Sequence, residues 1–229
     1  MGKEVKLKQY ALQLGADLFG IADLNLLNDV KTLPDNLLEG YTRGISIGVD
    51  LGKSVFKNLP ESRPIYADIY RIANRKLDYI AYHLYKKIKN LGYEAITIPA
   101  SKVLKDTHYR SFISHKSIAR AAGLGWIGKS LLLVTKEYGP RVRLASILTD
   151  MELETGNPIK NKCGNCTSCI DNCIANALKD HDFQEYPTSR ENCLDTNKCA
   201  DKLKKFEEDP DVGEMICGIC IKVCPYTKS

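Results

Sequence analysis

The stretch CGNCTSCIDNC at 163–173, answered by CGICIKVCP at 217–225, decides how this chain folds. The first block spaces Cys163, Cys166, Cys169 and Cys173 as C-x2-C-x2-C-x3-C, the run in which three thiolates grip one iron–sulfur cubane and the fourth crosses to a second. The second block, Cys217, Cys220 and Cys224 followed by Pro225, offers a matching half, and a lone Cys193 can replace the missing first ligand of its triplet. The pattern predicts two 4Fe–4S clusters. One is expected on Cys163, Cys166, Cys169 and Cys224, the other on Cys173, Cys193, Cys217 and Cys220. Cys199 is left as a spectator among the nine cysteines.

Two other chemistries compete for these thiols. Disulfides need an oxidising compartment, and the N-terminal MGKEVKLKQYALQLG has neither an uninterrupted apolar core nor a small-residue cleavage site. Zinc is the stronger rival, because Cys163 and Cys166 with Cys217 and Cys220 would make a thiolate tetrahedron. Zinc leaves Cys169, Cys173, Cys193 and Cys224 without work, and it has no reason to prefer a triple run ending in a crossing step. Ile174, not Pro, follows Cys173. Pro there sets chain direction and ligates nothing, so the departure is minor.

With 229 residues and 44% apolar content, the chain can build one sizeable domain and a small one. No run approaches the ~18 apolar residues of a membrane span. The formal charge of +5 counts every cysteine as a neutral thiol. Each oxidised cubane with its thiolates carries about −2, which brings the total to about +1 and weakens any case for nucleic acid. A cytosolic protein with no membrane contact is the expectation.

Taken in order, residues 3–14 place Val5, Tyr10, Ala11 and Leu14 on one helical stripe, closed by Gly15. Residues 17–24 and 44–51 read as strands, and Pro60 and Pro64 bracket a loop. A long helix over 65–89 follows, with Ile65, Ile69, Ile72, Leu77, Ile80, Ala81, Leu84 and Ile88 at helical spacing and Gly92 beyond its end. YEAITIP at 93–99 is a strand, which makes a strand–helix–strand unit. The fold class is thus α/β (α+β), with a sheet domain over 1–160 and the cluster domain over 161–229.

GLGWIGKS at 123–130 satisfies both G-x-x-x-x-G-K-[ST] and G-x-G-x-x-G. Each of those phosphate-binding motifs demands a strand, the loop, then a helix. Here a helix over 117–122 runs in and a strand over 131–135 runs out, and a turn at 136–141 leads to a partner strand in a hairpin, so nucleotide binding is excluded. The glycines serve either a tight helix-to-strand turn or close approach to a flat cofactor. Trp126 suits a core site or a cofactor wall. His83, His108, His115 and His181 show no metal-site spacing, and the lysine runs at 86–89 and 202–205 read as solvated helix faces.

These cysteines, together with AAGLGWIGKSLLLVTKEYG and GADLFGIADL, resemble the epoxyqueuosine reductase family, whose core is shared with reductive dehalogenases. The resemblance implies a nitroreductase-like N-terminal domain followed by a bacterial two-cluster ferredoxin-like domain. It further implies cobalamin between the two, with Gly123, Gly125, Trp126, Gly128 and Lys129 close to it and the first cluster as the last relay before cobalt. Counting back without gaps from Gly123, the family's catalytic aspartate is replaced by Tyr109, which is either a proton donor or a buried aromatic. The chain ends soon after Pro225, before the helical-repeat domain that helps family members hold tRNA. The expectation is an iron–sulfur oxidoreductase fed by ferredoxin or flavodoxin and not acting on tRNA. An electron carrier that docks on a corrinoid protein, and an FMN-dependent reductase, are the alternatives.

Overall fold

The computed structural model describes residues 2–105, 107 and 109–227. Two compact units alternate along the chain. The first comprises Met1–Val49, Ala73–Gly125 and Arg143–Ile159, and the second Asp50–Ile72, Trp126–Val142 and Lys160–Ser229. A single break near 160 is what composition suggests. Instead, two segments from the first half of the sequence or its middle pack with the cysteines.

In the first unit, α1 (Lys3–Gln13) buries Leu7 and Ala11, while Val5, on the expected stripe, stays exposed. Strands β1 (Leu18–Asp23) and β2 (Arg43–Asp50) pair antiparallel from Leu18↔Gly48 to Asp23↔Arg43. The sheet closes with β3 (Ala95–Ile98) and β6 (Val142–Thr149), in the order β1-β2-β6-β3. Apolar runs make these strands: β2 reads GISIGV between its polar ends, and all six of those residues are buried. A core of Ala22, Leu24, Ile98, Ile118, Ala121 and Leu148 lies beside the sheet.

Two further helices precede β3: α2 (Lys53–Lys57), and α3 (Arg63–Asn90), whose first ten residues belong to the second unit. Pro64 lies in the first turn of α3 rather than in a loop, where its missing N–H costs nothing. Leu77, Ile80, Leu84 and Ile88 are fully buried, but Ile65 and Ile72 are exposed and Tyr66 is buried in their place. Sequence periodicity found the helix. It misjudged the face of the first turns, because Tyr66 packs edge-on to Phe56, far away in the sheet-to-helix connection.

The last elements near the glycines are α4 (His115–Ala121), β4 (Trp126–Ile127) and β5 (Leu133–Val134). The expected hairpin partner of 131–135 is corrected. β5 pairs with β4 across the glycine turn, and β6 joins the large sheet instead. No helix follows Lys129 until residue 168, which removes the geometry a phosphate loop needs.

His115 opens α4 and ties two strands together. Its Nε2 faces the Pro99 carbonyl at 3.0 Å, which can only accept, so Nδ1 accepts from the Ser146 hydroxyl at 2.9 Å. Burial, despite some residual surface exposure, lowers its pKa from 6.5 to about 4, and Arg143 adds to the fall. A histidine depressed in the folded state stabilises the fold fully above 6.5, and that contribution is lost as pH drops toward 4. Urea unfolding measured across that window is expected to show stability falling with pH, and His115→Gln, which keeps the bond to Pro99, is expected to flatten the slope. An unchanged slope in the variant would assign the pH dependence to other groups.

Candidate functional site

The cysteines of the second unit are carried on short helices and turns. The first block folds into α5 (Ser168–Asp171), with Cys166 N–H bonded to the Cys163 carbonyl at 3.0 Å and Cys173 N–H to that of Ile170 at 3.1 Å. Next come α6 (Arg190–Cys193) and α7 (Thr196–Glu207), the latter capped by the Asp195 carboxylate accepting from Lys198 N–H. The last block forms α8 (Ile219–Lys222), entered through Gly218 at φ 81.

Electrostatic influence sorts the thiols into two quartets. Burial pushes the Cys169 thiol up to about 12, and neighbouring Cys163, Cys224 and Cys166 push in the same direction. Cys224 is raised by burial first and then by Cys163 and Cys166. Cys220 is raised by burial, then by Cys217, Cys169, Cys199 and Cys173. Cys163, Cys166, Cys169 and Cys224 therefore form one group, and Cys173, Cys199, Cys217 and Cys220 the other, with Cys169 and Cys220 the near pair between them. Cys224 crosses back to the first block and Cys173 crosses forward to the last.

Cys199, which the spacing leaves as a spectator, lies within electrostatic reach of the thiols expected for the second cluster. Its thiol is raised by burial and then by Cys173 and Cys217. The Cys193 thiol is 1% exposed and raised by burial, and the charge acting on it is Lys179 rather than another thiol. The cause is local pairing. The Cys193 carbonyl accepts from Lys179 N–H at 2.9 Å, and the Leu178↔Leu194 bridge lies beside the buried side chain. A sequence signal for Cys199 existed: Asp195 caps a helix, which places Cys199 near its positive N-terminal end, where a thiolate is favoured.

Hydrogen-bond donors surround the quartets. Ser168 Oγ lies 3.4 Å from Cys166 Sγ and is the main cause of that thiol's lowered pKa, with Lys129 contributing. Ala177 N–H reaches Cys173 Sγ at 3.4 Å. Tyr226 N–H lowers Cys224, and Ile219 N–H lowers Cys217 against the larger effect of burial. Among the described residues, no three His, Cys, Asp or Glu side chains converge closely enough to hold a single ion. The thiols act on one another across a wider space.

The residues expected against a cofactor are closed on their own chain. At Gly123, φ is +76 and a β-carbon would meet the Asn157 carbonyl at 2.7 Å, so its bareness serves a tight turn. Gly125, Trp126, Gly128 and Lys129 are all buried. A β-carbon at Gly128 would lie 2.9 Å from a Val134 methyl and 3.4 Å from Cys163 Sγ. Lys129 Nζ donates to Asp180 at 2.8 Å and pairs with Asp182 at 3.2 Å, and Asp180 chiefly holds its pKa above the usual lysine value. Sequence spacing could not reveal this pairing, nor that of Arg63, whose Nε faces the Cys217 carbonyl and whose guanidinium stacks 3.9 Å over Phe206.

Tyr109 is 41% exposed at φ 63, which corrects the buried-aromatic alternative. A left-handed non-glycine backbone is uncommon and is a recurrent mark of functional loops. Its neighbour His108 lies outside the described residues.

Residues 162–227 match the 4Fe-4S double cluster binding domain family. The epoxyqueuosine reductase of Lactococcus garvieae is 30% identical over 210 residues, covering 87% of this chain and 56% of that protein. A solved epoxyqueuosine reductase from Streptococcus thermophilus superposes with a TM-score of 0.64 at 19% identity, over 100% of this chain and 67% of that one. A reductive dehalogenase, described as acting by B12-dependent dehalogenation, superposes with a TM-score of 0.72 at 21% identity, over 97% of this chain and 31% of that one. The chain spans about half the length of the curated relatives it matches. These matches carry a mixed α/β fold with a ferredoxin-like double-cluster domain and an iron–sulfur redox character.

The quartets predict distinct iron losses. Cys199→Ser is expected to lower bound iron from about eight to about four per chain. Cys193→Ala is expected to leave iron at the parent level. The reverse result, by metal analysis of anaerobically reconstituted protein, would return Cys193 to the ligand set.

Proposed function

On the premise that the chain is an epoxyqueuosine reductase-like double-cluster protein with the fold of reductive dehalogenases, we propose that it is an iron–sulfur oxidoreductase taking electrons singly from ferredoxin or flavodoxin. The observation that supports this most is the reciprocal crossing of Cys173 and Cys224, with Cys169 and Cys220 adjacent between the quartets. A 4Fe–4S cluster in each quartet supplies one-electron chemistry. The eight thiolates would hold the clusters, since buried sulfur anions that repel one another are satisfied by a multi-iron core ligated at its corners. Ser168, Ala177, Ile219 and Tyr226 donate to the thiolates and stabilise their negative charge.

The resemblance assigns cobalamin as acceptor, and the residues assigned to it fit poorly. A flat cofactor touches atoms that the protein leaves accessible, whereas Gly125, Trp126, Gly128 and Lys129 are buried and Lys129 is held by two carboxylates. The acceptor is a substrate or partner approaching elsewhere, and a partner of the corrinoid-protein class remains within this proposal.

A reductase with its own proton donor is favoured by one feature, the exposed Tyr109 on a left-handed backbone. A phenol is protonated at neutral pH, whereas an aspartate is ionised there unless it is buried. A substrate other than tRNA is part of the same proposal.

Anaerobic reconstitution is expected to load about eight irons with broad absorbance near ~400 nm, and stoichiometric zinc in their place would overturn the assignment. Titration with cob(II)alamin is expected to leave its spectrum base-on; a base-off shift would restore a corrinoid site. Tyr109→Phe is expected to slow substrate turnover with cluster reduction unchanged, and equal turnover would leave Tyr109 without a chemical role.

A further inference from the structure

Trp126 is the only tryptophan and is 2% exposed, yet its indole Nε1 is buried without a hydrogen-bond partner. A buried donor left unmade is costly, so native proteins nearly always supply an acceptor. The surroundings say which acceptor is in reach. Trp126 belongs to β4, and Gly128 follows two residues on, so their side-chain positions share one face of the extended chain. At Gly128 that face meets Cys163 Sγ. The indole also packs edge-on against Tyr226, with ring centroids 4.8 Å apart, and the backbone of Tyr226 donates to the Cys224 thiolate. Lys162, beside Cys163, holds its ammonium 5.8 Å from the indole centroid, and the Tyr226 hydroxyl reaches the Lys162 carbonyl. The flanking residues of two ligands of the first quartet thus enclose the one unsatisfied indole.

We infer that the Trp126 indole N–H donates a hydrogen bond to a sulfur of the first cluster and raises that cluster's reduction potential. The inference rests on the double-cluster assignment proposed above. Hydrogen bonds to cluster sulfurs stabilise the more negative reduced state, which makes them one of the levers that set potential. Trp126 is a tuning residue that acts on the cluster and takes no part in ligating it. Lys129, on the same turn, also acts on Cys166, with its charge offset by Asp180 and Asp182. The first quartet then becomes the higher-potential end of the relay.

Because the chain has one tryptophan, growth on 15N-indole labels this ring alone. In the partially reduced, reconstituted full chain, pulsed EPR is expected to show a 15N coupling on one cluster signal. Trp126→Phe is expected to abolish that coupling, keep the parent iron and sulfide content, and move one of the two midpoint potentials to a more negative value while the other stays. A normal cubane signal with no 15N coupling in the labelled parent, and both potentials unchanged in the variant, would overturn the inference while leaving the clusters in place. Absence of any cubane signal, with zinc bound instead, would remove the double-cluster proposal and this inference with it.

Discussion

Eight half-buried thiols that act on one another, most of them raised by their own desolvation, are the constraint on which the second unit depends. Burial and mutual repulsion both oppose ionisation, as the rise of Cys169 to about 12 shows. Yet thiolates are the form that binds iron. Only a strongly positive core placed among the sulfurs resolves that conflict, so metal binding and folding of this unit are coupled. The crossing of Cys173 and Cys224 makes the two quartets interdependent, because each block of sequence completes the other's site.

Distant segments are drawn in to satisfy what the short cysteine helices cannot satisfy alone. Arg63, at the start of α3, faces the Cys217 carbonyl and covers Phe206, while Arg71 bonds Glu214 at 2.9 Å and the Val212 carbonyl. Arg141 joins Asp50 at 2.8 Å to the Thr227 carbonyl at 3.0 Å. The β4–β5 hairpin brings Gly128 beside Cys163 and Lys129 within reach of Cys166. A turn that reads in sequence as a phosphate or cofactor loop therefore serves as the outer wall of the metal site, and its glycines are needed because the protein's own atoms fill the space beside them.

The first unit has a different economy. Its antiparallel sheet and His115 linkage make a rigid support, and β2 and β3 run parallel with β6 between them, joined by the long crossover α3. The segment after Pro99 carries Tyr109 on a strained backbone at φ 63. Strain of this kind persists where the surroundings hold it, and it sets this loop apart from the packing role of the strands.

Much of this was legible from local sequence. Cysteine spacing pointed to a double 4Fe–4S domain, as the family match over 162–227 bears out, because the ligands of a cubane come from tight turns whose geometry follows from residue separation. The long helix and three of the sheet strands followed from apolar periodicity. Tertiary structure alone shows that Cys193, at the end of α6, is buried beside the Leu178↔Leu194 pairing and that Cys199, on α7, lies within reach of Cys173 and Cys217. It likewise decided that Leu7 rather than Val5 is buried, that β5 pairs with β4, and that Lys129 faces Asp180. Each depends on a partner remote in sequence, and one-dimensional spacing carries no record of which distant surface a side chain will meet.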